Sequence, residues 1–204
     1  MRAQSRTDLE IIPLTPAAFD RLGELFAEGG DPRWCWCAFW RLRGAAGGRT
    51  EAAQNRALLL RLAEQDDPAP GLVALREGRV VGWVSVGPRA SYPRLAHSKV
   101  YAAVDDHPVW SIVCFVVSRP ERGRGIAGAL LAEAVAYAGR HGATMVEAYP
   151  VETGGGRVPA GSANTGTVPM FERAGFQAVA SRRASPTARP RLVMRRELAG
   201  AAPG

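Results

Sequence analysis

Lysine is almost missing from this sequence, and cysteine and histidine are rare. Of 26 basic residues only Lys99 is a lysine, so the formal net charge of +7 is an arginine charge. The arginines are scattered, with no run of five like charges and no basic stripe interleaved with aromatics. A nucleic-acid partner is therefore not expected. The cysteines, Cys35, Cys37 and Cys114, are odd in number, which argues against a disulfide framework. Cys35-Trp36-Cys37 offers two soft ligands, but nothing nearby completes a zinc set, and His97, His107 and His141 are far apart. No metal is expected. No apolar run approaches membrane-spanning length, and the opening MRAQSRTDLEII lacks the apolar core of a signal peptide. The expectation is a cytoplasmic protein without a membrane partner.

With 204 residues, 47% hydrophobic and 22% charged, the chain can build one full core. A single domain over 1–198 is expected, with AGAAPG (199–204) as a disordered tail. DLEIIPL reads as a strand. Thr15-Pro16 then opens a helix with Phe19, Leu22, Leu25 and Phe26 on one face. The aromatic segment DPRWCWCAFW carries no clear period. Thr50-Glu51 opens a second amphipathic helix. GLVALREGRVVGWVSVGPR is a hairpin about Glu77-Gly78. After an irregular stretch over 90–108, VWSIVCFVVS reads as a central strand, apolar on both sides. A helix follows over about 125–141, then the strand ATMVEAYP, a short helix in NTGTVPMFERAG, and two closing strands. The order β-α-α-β-β-β-α-β-α-β-β predicts an α+β (mixed α/β) domain rather than repeated βαβ units.

Chemistry concentrates in residues 113–150. Gly123-Arg124-Gly125-Ile126-Ala127-Gly128 reads G-x-G-x-x-G between a strand and a helix, and Glu147 lies where a dinucleotide fold would place its ribose acid. That reading fails because SRPER separates the strand from the first glycine, whereas the dinucleotide turn follows its strand at once. A P-loop fails because no Gly-Lys-Ser/Thr follows. Glycines and arginines at a helix N-terminus still make an anion nest, in which backbone N–H groups converge and the dipole is favourable.

The better frame is Arg122-x-x-Gly125-x-Ala127, preceded by a strand and followed by a long helix. Here the chain resembles the GNAT superfamily of N-acetyltransferases, in an uncharacterised bacterial branch. The family signature is Arg/Gln-x-x-Gly-x-Gly/Ala. A second match lies downstream: Asn164-x-x-Thr167-x-x-Met170-Phe171-x-x-x-Gly175-Phe176 resembles the family's Asn-x-x-Ala-x-x-Leu-Tyr-x-x-x-Gly-Phe. The resemblance implies a mostly antiparallel twisted sheet of about seven strands flanked by about four helices.

It also implies acetyl-CoA, or another acyl-CoA, as co-substrate, bound where two central strands diverge. The pantetheine arm would pair with Phe115, Val116 and Val117, and the pyrophosphate would sit on Arg122, Gly123, Arg124, Gly125, Ile126, Ala127 and Gly128. Asn164 and Phe171 complete the cofactor set. By resemblance the Phe115 N–H is the oxyanion donor. Ser111 stands where many relatives carry a glutamate base, so Glu147, an acid inside an apolar run, is the candidate base. Asp105 and Asp106 are second choices, as base or as ammonium anchors. Phe171 replaces the usual acidic tyrosine, so Tyr149 or a water would serve. Cys114 reads as a small hydrophobe rather than a nucleophile. Trp34, Trp36, Phe39, Trp40 and Tyr101 are candidates for an aromatic acceptor wall.

The implied activity is acyl transfer to a primary amine of a small molecule by direct attack in a ternary complex. Modification of a protein or peptide amine, or CoA binding without turnover, remain as alternatives. A homodimer is compatible with the resemblance.

Overall fold

The computed structural model of the chain describes residues 9–42, 51–65, 67–152 and 164–198. The expected N-cap Thr50, the loop 153–163 and the tail 199–204 lie outside the described residues.

Seven strands form one sheet: β1 (Glu10–Pro13), β2 (Gly71–Arg76), β3 (Arg79–Pro88), β4 (Trp110–Val117), β5 (Met145–Ala148), β6 (Gln177–Arg182) and β7 (Arg191–Glu197). Their spatial order is β1-β2-β3-β4-β5-β7-β6, and β4–β5 is the single parallel pair among antiparallel neighbours. The β2–β3 hairpin turns at Glu77 (φ 50) and Gly78 (φ 75). Both residues are left-handed, as a two-residue turn matched to strand twist requires.

Among the described residues there are seven helices rather than four. The four expected are α1 (Pro16–Ala27), α4 (Ala52–Gln65), α6 (Ile126–Arg140) and α7 (Val168–Arg173). The other three, α2 (Pro32–Cys35), α3 (Ala38–Arg41) and α5 (Pro93–Ala96), are single turns. They fall in the aperiodic segments, because one turn is too short to leave a period in the sequence.

Both faces of the sheet are covered. On one side α6 lays Ile126, Leu130, Leu131, Ala134 and Ala138 against Leu72, Val84, Ile112 and Val146. On the other, α1 packs Phe19, Leu22 and Phe26 with Trp36, Trp83 and Val113. Each such buried side chain contributes roughly 1.5–3 kcal/mol of transfer free energy. Side chains alternate along β5, so Val146 and Ala148 face α6 while Glu147 and Tyr149 face the α1 side.

Gly71, at the start of β2, leaves no room for a side chain against the neighbouring strand β3. A Cβ there would lie 2.3 Å from the Val84 carbonyl oxygen and 2.5 Å from the Trp83 ring. The carbonyl belongs to the hairpin ladder and has nowhere to go. Gly71→Ala is expected to cost about 2–3 kcal/mol, read as a lower urea midpoint with unchanged slope.

Candidate active site

β4 and β5 stay together for only three pairs, Trp110–Val146, Ser111–Glu147 and Ile112–Ala148. β4 then runs on to Val117 alone on that side. A bulge assists the divergence. Against β3, Ser85 pairs with Cys114 and Val86 with Ile112, so Val113 is an extra residue that increases the local twist. Beyond it the Phe115 N–H points into the opened gap and donates to the Asn164 carbonyl at 2.6 Å.

At the far end of β4 the chain makes a 3-10 turn over Arg119–Glu121 and enters α6 through Gly123 (φ 79) and Gly125 (φ 83). A Cβ at Gly123, Gly125 or Gly128 would meet nothing within 4 Å, so the surface above these amides is open. The first-turn N–H groups of α6 have no acceptor within the helix, and Gly125 as N-cap supplies no side chain. Arg122 is exposed, with its Nε on the Val117 carbonyl at 3.3 Å; Arg124 reaches Glu121 at 3.5 Å. Ile126 is buried against Gly82 and anchors the helix start, while Ala127 is half-buried.

On the α1 side of the sheet a cavity of about 1060 Å³ opens between the short helices, the start of β7 and the middle of β4. Phe39, Trp40 and Tyr101 line it, with Cys114 and Asn164 at the end nearest the Phe115 amide. The three rings form one wall: Phe39–Trp40 and Trp40–Tyr101 meet edge to face at 5.1 and 5.0 Å. The three cysteines also meet here. Cys37 is held left-handed (φ 55) with the Trp83 indole N–H on its Sγ at 3.1 Å. A hydrogen bond with Cys114 makes Cys37 the more acidic of the two thiols and pushes Cys114 well above the usual range. Burial pushes Cys35 up to about 12.

Glu147 is fully buried and sits in a charge network. Arg89 reaches its Oε1 at 2.8 Å, Arg195 its Oε2 at 2.8 Å, and the Tyr149 hydroxyl donates to Oε1 at 2.6 Å. Arg195 also clamps Asp105 through two bonds of 2.6 and 3.0 Å. Burial first, and then the Glu147 charge, push the Tyr149 phenol well above its ordinary value. Tyr149 is therefore a neutral donor, also in contact with Ser111 Oγ at 2.9 Å and with Arg89. Neither Glu147 nor Tyr149 lines the cavity; Tyr101, whose ring lies 5.6 Å from that of Tyr149, stands between them and it.

Asp105 is exposed, and the Arg195 bonds, helped by the His107 N–H, hold its carboxyl down to about 2. A carboxyl lowered in the folded state stabilises the fold above its unfolded value, near 4, and loses that contribution as pH falls through about 2. Asp105→Asn is expected to flatten the acid limb of the urea-midpoint profile between pH 4 and 2 while leaving its slope near neutrality unchanged.

Several sequence expectations are relocated. Trp36 is a core residue, stacked on Phe19 at 5.6 Å and edge-on to Phe26 at 5.2 Å, because left-handed turns at Trp36 and Cys37 swing its ring inward. Trp34 is half-buried outside the cavity, with Arg33 over its ring and its carbonyl on Asn55. Asp106 is exposed and apart from the cavity. Phe171 is fully buried between Phe115 and Phe176. Sequence reasoning passed over Arg89, Arg94, Arg191 and Arg195. The available signal was Arg191 and Arg195 falling on one face of β7 with Val193, an unusual pair of cations on a half-buried strand.

The model of the Acetyltransferase (GNAT) family matches residues 36–176. The chain belongs to the GNAT family of acetyltransferases. No curated protein matches it by sequence. Among solved structures, the fold is similar to a polyamine N-acetyltransferase of Drosophila melanogaster that catalyses formation of N-acetylagmatine. The identity is 16%, over 94% of this chain and 100% of that one, with a TM-score of 0.61. A GCN5-related N-acetyltransferase from Kribbella flavida is 21% identical over 95% and 100%, with a TM-score of 0.58. A histone acetyltransferase HPA2 and related acetyltransferase from Corynebacterium glutamicum is 24% identical over 97% and 99%, with a TM-score of 0.54. The family's sheet is the one described, mostly antiparallel and opened between β4 and β5. Among the described residues no helix is long and apolar enough to cross a membrane.

Proposed function

We propose that this GNAT enzyme transfers the acetyl group of acetyl-CoA to a primary amine of a small molecule, by direct attack while both are bound. The observation that carries the reading is the strand opening, with the Phe115 N–H aimed into it and the Arg122–Gly128 amide loop at its end.

The residues fit the donor. Its pyrophosphate would lie on Gly123, Arg124, Gly125, Ile126, Ala127 and Gly128, where first-turn amides and the helix dipole favour an anion, with Arg122 beside it. Its amide-rich arm would add strand-like bonds along Phe115, Val116 and Val117, the part of β4 without a strand on that side. The Asn164 carbonyl is a stand-in of the right kind, since a carbonyl oxygen already accepts from the Phe115 N–H. When bound, acetyl-CoA supplies a thioester carbon open to attack by an amine. The chain's part is to hold that carbon at the Cys114 end of the cavity and to offer the Phe115 N–H to its oxygen.

Proton handling falls to the buried network. We assign Tyr149, neutral and bonded to Glu147, as the relay to that carboxylate; because Tyr101 screens it from the cavity, the acceptor's proton reaches it through water beside that ring. Phe171 has no proton to give, so CoA leaves as thiolate, a tolerable leaving group because ordinary thiols ionise near 8.5. A bounded cavity of about 1060 Å³ with a continuous aromatic wall suits a small acceptor. The test is amine-dependent release of free CoA thiol from acetyl-CoA, with mass detection of the acetylated amine. Release with small amines supports the reading. Release with peptides alone, or CoA binding with no turnover of any amine, overturns it.

A further inference from the structure

The cavity wall carries Arg94, Lys99 and Arg191 against a single acid, Asp31, itself exposed at the rim. Arg191 is the informative one. It is half-buried at the start of β7, and its hydrogen bonds both use Nη1: to Thr165 Oγ1 at 2.9 Å and to the Tyr149 carbonyl at 3.5 Å. Its guanidinium carbon lies 5.8 Å from the centre of the Tyr101 ring. Those partners are all neutral. Four residues along the same strand face, Arg195 is saturated by Glu147 and Asp105, and Arg89 by Glu147. No carboxylate among the described residues pairs with Arg191 or with Lys99. A half-buried guanidinium without a counter-charge is costly, and its planar fork matches a carboxylate.

We propose that the acceptor is an amine that also carries a carboxylate, which pairs with Arg191 while the amino group reaches the Cys114 end of the same cavity. The inference rests on the reading of this cavity as the acceptor site. It excludes dications as preferred acceptors: an agmatine-like guanidinium or a diamine would set a second cation beside Arg191 and Lys99. Of the two guanidiniums on the wall, Arg94 lies over the exposed Phe39 ring and bonds its carbonyl, while Arg191 is at the Thr165 end; a single monoanion suits Arg191 there, and Lys99, exposed at the mouth, draws it in.

The experiment is steady-state kinetics with acetyl-CoA and matched acceptors: amino acids, their carboxamides, an O-phosphorylated amino alcohol, agmatine and putrescine. Carboxylate acceptors are expected to exceed their carboxamides in kcat/KM by roughly ten- to hundredfold, mainly through KM. In Arg191→Gln that ratio collapses towards one, with acetyl-CoA KM held. In Arg191→Lys, which keeps the charge without the fork, an intermediate ratio remains. Equal or better turnover of carboxamides, diamines or the phosphorylated amine overturns the proposal and leaves the transferase reading standing. So does an unchanged ratio in Arg191→Gln. No turnover of any acceptor sinks both.

Discussion

Glu147→Gln is expected to lower stability by about 3 kcal/mol, a large share of the 5–15 kcal/mol that holds a domain folded. The side chain is 1% exposed, and the two guanidiniums bonded to it are 17% and 9% exposed. Glutamine is nearly isosteric, so packing survives, but Arg89 and Arg195 then face a neutral amide in a place where water cannot compensate them. Arg195 keeps Asp105; Arg89 keeps only Tyr149 and the Tyr101 carbonyl. That retained pairing is why the lower end of the range for breaking a buried ion pair applies. Chemical denaturation measures it, and a midpoint shift worth less than about 1 kcal/mol would show that the network behaves as a surface one. The same variant addresses catalysis. If Glu147 takes the proton through Tyr149, turnover per folded molecule falls sharply while CoA affinity holds. Turnover unchanged per folded molecule would leave Glu147 as a structural charge alone.

The second large effect is expected at the amide loop before α6. In Gly125→Ala the new Cβ meets nothing within 4 Å, so crowding is not the issue. The backbone is: at φ 83 an L side chain costs about 1–2 kcal/mol, and an exposed loop escapes that cost by relaxing. Relaxation turns the amides out of convergence. CoA affinity should fall roughly five- to thirtyfold, read by titration calorimetry, with little change in melting temperature. A variant that binds CoA normally but melts lower would mean that the loop holds its shape and absorbs the strain. Gly139→Ala, near the other end of α6 with φ in the ordinary range and only an ordinary contact for its Cβ, is the control and should bind normally.

The elements read best from the sequence were those whose information is local. The Glu77-Gly78 turn, the apolar face of α1 and the amide loop before α6 each depend on residues a few positions apart. The surroundings of Glu147 do not. Glu147 meets Arg89 and Arg195 across 58 and 48 positions of chain, and Asp105 meets Arg195 across 90. Nothing in MVEAYP announces that its acid faces two arginines. The aromatic segment was hard to read for a different reason. Trp34, Trp36, Phe39 and Trp40 were equivalent in sequence, and two left-handed residues decided that Trp40 borders the cavity while Trp36 fills the core. Such a backbone reversal at non-glycine residues leaves no compositional trace.

The bond from the Phe115 amide to Asn164 has a consequence for how binding energy is used. An incoming carbonyl at that amide replaces an existing partner, so the exchange adds little to ground-state affinity. Its worth appears only when the new oxygen becomes more negative than the one it displaced. In the proposed reaction the amide thereby favours reaction over residence: it weighs on kcat and hardly on KM.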